Sequence, residues 1–310
     1  MDISIVVPSY NEDESLPHLA EWIDRVMKEH GFSYEVIIVD DGSKDGTWQA
    51  AEKLHAANPC YRGIKFRRNY GKSAALNTGF AAAQGDVVIT MDADLQDSPD
   101  EVPELYRMIK EDGYDLVSGW KKKRYDSKLA KNIPSKFFNW TTRRMSGIHL
   151  HDFNCGLKAY RHDVVKSIEV YGEMHRFIPV IAKWAGFGKI GEKVVQHRKR
   201  EFGVTKFGMS RFINGYLDLM SIMFMSKFGK QPMHFFGAVG TISGLFGLVS
   251  LIVVLILRMT GNISLTHSVW FYLSMLFLVL GVMLFLAGFI GELVCRNSTT
   301  RNQYLIEKEL

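Results

Sequence analysis

Cysteine is scarce in this chain: Cys60, Cys155 and Cys295 are the only three in 310 residues, an odd number at wide spacing. Such usage excludes a disulfide framework and a zinc site built on thiolates, and fits cysteines that stay reduced. An excess of one charge is lacking too. The net charge is only +5, and no nucleic-acid-binding motif is present, so nucleic acid is not an expected partner. The chain also lacks internal repeats and low-complexity tracts. Nothing at the N-terminus has the character of a signal peptide, because Met1-Asp2 leads straight into the strand-like run Ile3 to Val7. The chain up to about residue 230 is therefore expected to stay in the cytosol.

What is present is an uneven distribution of apolar residues. A hydrophobic content of 47% averages over two nearly uninterrupted runs, Met233 to Leu257 and Val269 to Val294. At ~1.5 Å per residue each is long enough to cross a ~30 Å hydrocarbon core, which predicts two transmembrane helices. Between them, residues 258–268 carry one basic residue, Arg258, whereas Lys206, Arg211, Lys227 and Lys230 precede the pair and Arg296 and Arg301 follow it. The positive-inside rule then puts both termini in the cytoplasm, as for a multi-pass protein of the cytoplasmic (inner) membrane. The expected partition is a cytosolic domain over 1–207, a connector over 208–230, the two spans within 231–295 and a tail over 296–310.

The N-terminal two thirds alternate short β-branched runs with helical patterns. Strands are expected at Ile3 to Pro8, Tyr34 to Asp40, Gly63 to Phe66, Asp86 to Met91 and Asp115 to Ser118, with helices near 16–30, 47–57, 72–83 and 101–111 between them. This is the pattern of an α/β fold with a mostly parallel sheet, whose ligands sit outside the carboxyl ends of the strands. Polar signatures fall there. Asp40 ends a strand and enters a turn at Gly42, where a carboxylate can receive a nucleobase or sugar edge; equally, Ser43 or Asp45 can simply cap the next helix. Asp92 and Asp94, two residues apart in an extended chain, would face one side and converge on a hard divalent cation with the amide oxygen of Gln96. Oxygen ligands of this kind suit Mg2+ or Mn2+ completed by substrate phosphates. Arg67 to Lys72 precede a helix N-terminus that favours an anion, and Lys72 can neutralise a diphosphate.

Past Gly119 the run Lys121, Lys122, Lys123, Arg124, Lys128, Lys131, Lys136, Arg143 and Arg144 is interleaved with Phe137, Phe138 and Trp140, which reads as an interfacial helix over about 128–147. The connector before the first span repeats the amphipathic theme. His149 and His151 form a His-x-His pair, but no third ligand stands beside them.

Together, Val6-Val7-Pro8-Ser9-Tyr10-Asn11-Glu12, Val39-Asp40-Asp41-Gly42-Ser43, Arg68-Asn69-Tyr70-Gly71-Lys72 and Asp92-Ala93-Asp94-Leu95-Gln96-Asp97 resemble the GT-A-fold glycosyltransferases of family 2. More narrowly, Asp152 to Arg161, His175 to Pro179, Arg200 to Phe207 and the apolar hairpin resemble the polyprenyl-phosphate glycosyltransferases, among them dolichyl-phosphate mannose synthases and undecaprenyl-phosphate sugar transferases. The resemblance implies a UDP- or GDP-sugar held by Pro8, Tyr10, Glu12 and Asp40, and a metal held by Asp92, Asp94 and Gln96. It further implies that Arg200 and Lys206 belong to a basic loop closing over the donor phosphates. Arg124 with Arg143 or Arg144 would hold the acceptor phosphate, and Asp152 would orient the acceptor or act as base. Single displacement would invert the anomeric centre. Thr205 and Phe207 depart from the Ser and Tyr common in the family. A homo-oligomer, a tetramer by resemblance, is expected. Two other readings stay open: a membrane-anchored nucleotide-sugar scaffold without catalysis, and a processive polysaccharide synthase, which the lack of Gln-x-x-Arg-Trp and the mere two spans disfavour.

Overall fold

The structure is a computed structural model that describes residues 1–122, 139–144, 146–198, 217, 220–221, 224–225, 228–229, 231–261 and 267–296. It divides into two compact units, Met1–Met220 and Ser221–Leu310.

The first unit is built on a seven-stranded sheet. In chain order its main elements are β1 (Ile3–Ser9), α1 (Ser15–His30), β2 (Tyr34–Asp40), α2 (Thr47–Ala57), β3 (Tyr61–Lys65), α3 (Lys72–Ala82), β4 (Val87–Thr90), α4 (Val102–Lys110), β5 (Leu116–Trp120), β6 (Lys158–Arg161) and β7 (Ile190–Val194). The spatial order is β3-β2-β1-β4-β6-β5-β7. β1, β2, β3 and β4 run parallel, as does the pair β5 and β7, while β6 is antiparallel to both of its neighbours. The sequence pattern predicts the first five strands; β6 and β7 are additions to it.

Burial explains the pattern. Ile3, Ile5, Val7, Val36, Ile38, Val87 and Ile89 are fully covered because helices lie on the sheet, and α1 supplies Leu16, Leu19, Ala20, Ile23 and Met27 from one face at helical spacing. α1 stops at Gly31, whose φ of 67° lets its N–H turn back to Lys28.

The reversed direction of β6 has a positional consequence. Register pairs Thr90 with Lys158 and Ser118 with Lys158, so the chain entering β6 arrives at the edge where β4 and β5 leave. Residues 152–157 therefore share an edge with the carboxyl ends of β1, β2, β4, β5 and β7.

The second unit contains two helices long and apolar enough to cross a membrane, Pro232–Met259 and Val269–Arg296. They pack on each other through glycines. A Cβ on Gly240 would lie 2.7 Å from the Gly281 carbonyl oxygen, one on Gly281 2.5 Å from the Gly244 nitrogen, and one on Gly247 2.6 Å from the Leu278 nitrogen. Ser250 and Ser274 hydroxyls meet at 2.5 Å across the pair. Side chains such as Ile242, Trp270, Met283 and Val294 point outward, as lipid-facing residues do. All three cysteines are free: Cys155 is buried, and Cys60 and Cys295 are half-buried.

Candidate active site

The loops after β1 and β2 are knitted together. The Asn11 amide donates to Ser43 Oγ at 2.9 Å, the Lys44 amide to Asn11 Oδ1 at 3.0 Å, and the Glu12 amide to Thr47 Oγ1 at 2.8 Å. Asp45, next to the N-cap Gly46, receives the Thr47 amide at 3.0 Å at the start of α2, while Ser43 serves the β1 loop. Glu12 accepts the Ser15 hydroxyl at 2.7 Å, and Pro8 and Tyr10 flank the same loop.

Asp40 is fully buried at the end of β2. Its Oδ1 accepts the Ser43 amide at 2.9 Å, whereas Oδ2 has no hydrogen-bond partner among the described residues and lies 4.0 Å from Lys65 Nζ. A buried carboxylate oxygen left without a donor is costly unless something supplies one. Its neighbour Asp41 has a different task, accepting the Tyr70 and Gly71 amides at 2.7 and 2.9 Å. Burial pushes the Asp41 carboxyl upward, partly offset by those two N–H donors. Gly42 cannot be replaced easily: its φ is +71°, and a Cβ would stand 2.4 Å from the Arg68 carbonyl carbon. Asp41 and Gly42 thus press the 68–71 loop, and with it the N-terminus of α3, against this edge.

The acidic segment differs from the extended pair expected. β4 ends at Thr90, the chain turns through Ala93 and Asp94, and Leu95 takes a left-handed φ of +60°. The turn, not the pleat, disposes Asp92 and Asp94. Asp94 Oδ1 accepts the Gln96 amide at 3.1 Å. Lys72 Nζ is bonded to Asp92 Oδ1, and Gly156 leaves room for the same carboxylate, since a Cβ there would fall 2.4 Å from Asp92 Oδ2. Burial works against ionisation of Asp92, but the ammonium groups of Lys72 and Lys121 outweigh it and bring its pKa down to about 2.

Lys121 is a correction to the interfacial reading of the basic run. It is nearly buried and pairs with the fully buried Asp97 at 2.7 Å. Burial disfavours its charged form, yet Asp97 outweighs burial and raises its pKa well above the usual lysine value. The signal missed is that Lys121 directly follows a strand, so it belongs to the sheet edge.

Asp152 is buried and its Oδ1 accepts the Asn154 amide at 3.0 Å. Its backbone is tied to β5 through the Ser118 hydroxyl at 3.3 Å and to β7 through Glu192 at 3.3 Å. His151 stacks on Trp120 at 4.1 Å and bonds Glu192 through Nδ1 at 2.7 Å, and His149 is exposed, so the two histidines do not converge. Residues 139–144 are helical, with Arg143 half-buried and Arg144 exposed, and Asn139 Nδ2 donates to the His151 carbonyl at 3.0 Å. Arg124, Arg200 and Lys206 lie outside the described residues, as do Thr205, Phe207, most of the connector and the side chain of Arg296.

Two residues without an assigned role in the sequence reading also reach this edge. Lys158 is buried, with Nζ on the Cys155 carbonyl, and burial pushes its pKa down. His175 is bound to Ser73 at the start of α3: its amide donates to Ser73 Oγ at 3.1 Å, and its Nδ1 lies 3.0 Å from that oxygen. Burial, with Lys72, Arg176 and Lys158 nearby, pushes the His175 pKa well below the ordinary histidine value.

Among the described residues no three His, Cys, Asp or Glu side chains converge on a common point. A divalent ion here would draw on Asp92, Asp94 and the Gln96 amide. That donor set is all oxygen, as suits a hard cation that keeps most of its shell for phosphate and water, and such an ion would share Asp92 with the Lys72 ammonium now bonded to it.

The profile described as glycosyl transferase family 2 matches residues 4–169. A dodecaprenyl-phosphate galacturonate synthase of Rhizobium johnstonii is 35% identical over 96% of this chain and 88% of its own length. An undecaprenyl-phosphate 4-deoxy-4-formamido-L-arabinose transferase of Aeromonas hydrophila is 33% identical over 99% and 93%. Among solved structures, mannosyl-3-phosphoglycerate synthase from Rubrobacter xylanophilus superposes with a TM-score of 0.59 at 16% identity, covering 73% of this chain and 75% of its own. Glucosyl-3-phosphoglycerate synthase from Mycobacterium tuberculosis, in complex with Mn2+, UDP-glucose and glycerol 3-phosphate, gives 0.53 at 19% identity, covering 73% and 79%. These two structures share the fold.

Proposed function

The chain belongs to glycosyl transferase family 2, and from that premise we propose that it transfers one sugar from a nucleoside diphosphate to polyprenyl phosphate at the cytoplasmic face of a membrane. The observation that carries this reading is Asp40, whose buried Oδ2 at the carboxyl end of β2 receives no hydrogen bond among the described residues. With Oδ1 taken by Ser43, one open oxygen matches the single imide N–H of uracil better than the two-donor edge of guanine, which favours a UDP-sugar. The acceptor assignment is supported by the two relatives, both named for polyprenyl-phosphate products, and by the apolar helix pair.

Chemistry at this site is positional and electrostatic. A lipid phosphate with a second pKa of ~6 is largely dianionic at neutral pH and is already a nucleophile. Asp152, held rigidly by Ser118 and Glu192, orients the acceptor, and the single displacement inverts the sugar. Lys72, at the head of α3, neutralises charge on the departing diphosphate together with Arg200 and Lys206. A divalent ion bound at Asp92, Asp94 and Gln96 would supply Lewis-acid stabilisation of that leaving group. Arg124, Arg143 and Arg144 serve the acceptor phosphate, and assembly as a homo-oligomer, a tetramer, is part of the same proposal.

The test is Mn2+-dependent transfer from a panel of UDP- and GDP-sugars to undecaprenyl phosphate in detergent. One uridine donor should yield a lipid-linked product that Asp94→Ala abolishes. Nucleotide binding without product from any donor would instead favour the scaffold without catalysis.

A further inference from the structure

Two stretches far apart in sequence are fastened to each other beside the acidic turn. Lys193 Nζ bonds the Glu101 carboxylate, and Glu101 Oε1 also accepts the Gln196 amide at 3.0 Å. His197 and Asp97 form an antiparallel bridge. The Arg198 amide donates to the Gln96 carbonyl at 3.0 Å. Outermost, the Arg198 guanidinium sits 4.1 Å from the centroid of the Trp22 ring. The indole is itself fixed, its Nε1 donating at 2.9 Å to Asp100, which also receives Arg25 at 3.1 Å and Ser98 at 3.2 Å.

We propose that Arg198 and Trp22 are positioning residues for Gln96: the guanidinium stacked on the indole holds the segment after β7 on the turn, and so sets where the Gln96 side-chain amide stands. The inference rests on the divalent-ion reading of the Asp92–Gln96 turn. Its physical basis is the backbone of Leu95. A branched residue at φ +60° persists only where its surroundings over-determine it. Asp94 pins the turn from one side through the Gln96 amide, and Arg198 pins the other through the Gln96 carbonyl. With both peptide groups of Gln96 held, its side chain leaves the backbone in one direction. Arg198 is exposed, whereas Trp22 is partly buried and also packs against the hydrophobic core, so Arg198 variants report on the stack without disturbing that core.

The experiment compares Trp22→Leu, Arg198→Leu and Trp22→Phe in the full-length detergent-solubilised protein. Two readouts need no turnover: the Mn2+ concentration that half-saturates UDP binding, and hydrogen exchange at the Arg198 amide. Loss of the cation–π contact should raise the Mn2+ requirement by roughly 3- to 10-fold in both leucine variants. It should also speed exchange of that amide in Trp22→Leu. Trp22→Phe keeps a ring face and should restore both. An unchanged Mn2+ requirement in the leucine variants overturns the proposal. So does a Trp22→Phe variant as impaired as Trp22→Leu, which would make Trp22 a packing residue only. If the wild type binds no UDP with Mn2+, the donor reading has failed; exchange at Arg198 in Trp22→Phe against Trp22→Leu then decides separately whether the clamp exists.

Discussion

In the catalytic unit a glycine makes room for a carboxylate, whereas in the hairpin it makes room for another helix. Gly156 clears the space that Asp92 occupies, and Gly42 lets the 68–71 loop press against β2; Gly240, Gly247 and Gly281 bring two helix backbones into contact. The difference lies in what surrounds each one. Around the catalytic edge, close approach fixes charged groups whose direction matters, with Lys72, Lys121 and Lys158 gathered near Asp92. In an apolar surrounding there is little hydrophobic gain in bringing helices together, so contact area and a few hydroxyl bonds carry the association. The same substitution should therefore cost activity in one unit and assembly in the other.

The sharpest test is Gly156→Ala. A methyl group 2.4 Å from Asp92 Oδ2 must displace that carboxylate, and a shift of this size should lower kcat/KM by about 100-fold. Circular dichroism should stay that of the wild type; a folded variant with full activity would break the comparison. Next comes Gly281→Leu, whose Cβ would fall 2.5 Å from the Gly244 nitrogen. Overpacking of this kind costs about 1–3 kcal/mol, read as a lower unfolding midpoint of the detergent-solubilised hairpin-bearing chain, while UDP binding by the other unit persists.

A pH series sharpens the contrast within the catalytic unit. His175 takes up its proton far below its ordinary pKa, so between those two values the unfolded chain binds more protons than the native one. Stability should fall as the pH drops below 6.5, by at most about 1.4 kcal/mol per pH unit for this group. Chemical denaturation of wild type and His175→Gln from pH 7.5 downward should show a shallower slope in the variant; equal slopes would exclude this histidine as the source. Ser250→Ala, which removes one interhelical hydroxyl contact, should cost only about 0.6 kcal/mol by the same unfolding assay. Smallest is Gly244→Ala: no described residue lies within 4 Å of the added methyl, and the change should stay within about 0.5 kcal/mol.

The sequence reveals elements where one physical signal dominates. β2 and α2 begin and end where the alternation places them, and the two apolar helices start within a residue of the expected spans. β6 escapes detection because four residues with Lys158 at their head and Arg161 at their end do not look like a strand with three buried positions. β7 escapes because an edge strand carrying Glu192 and Lys193 has little to bury. At the site, Asp40 and Asp92 are legible since each follows an apolar run. Lys121, Lys158 and His175 are not, because what makes them part of the edge is a set of neighbours distant in the chain. The Asp92–Asp94 pair was misjudged as geometry: spacing alone cannot reveal that Leu95 turns left-handed.

The three cysteines carry a practical consequence. Cys155 is buried, and burial pushes its thiol up to about 12, so at neutral pH it holds almost no thiolate to attack an alkylating reagent. Cys60 and Cys295 are half-buried and fall in different units. A maleimide spin label or fluorophore should therefore attach to the natural protein at one position in each unit while the third thiol stays silent. The wild-type chain thus comes with its own pair of probes for following the separation of the two units by dipolar or energy-transfer spectroscopy.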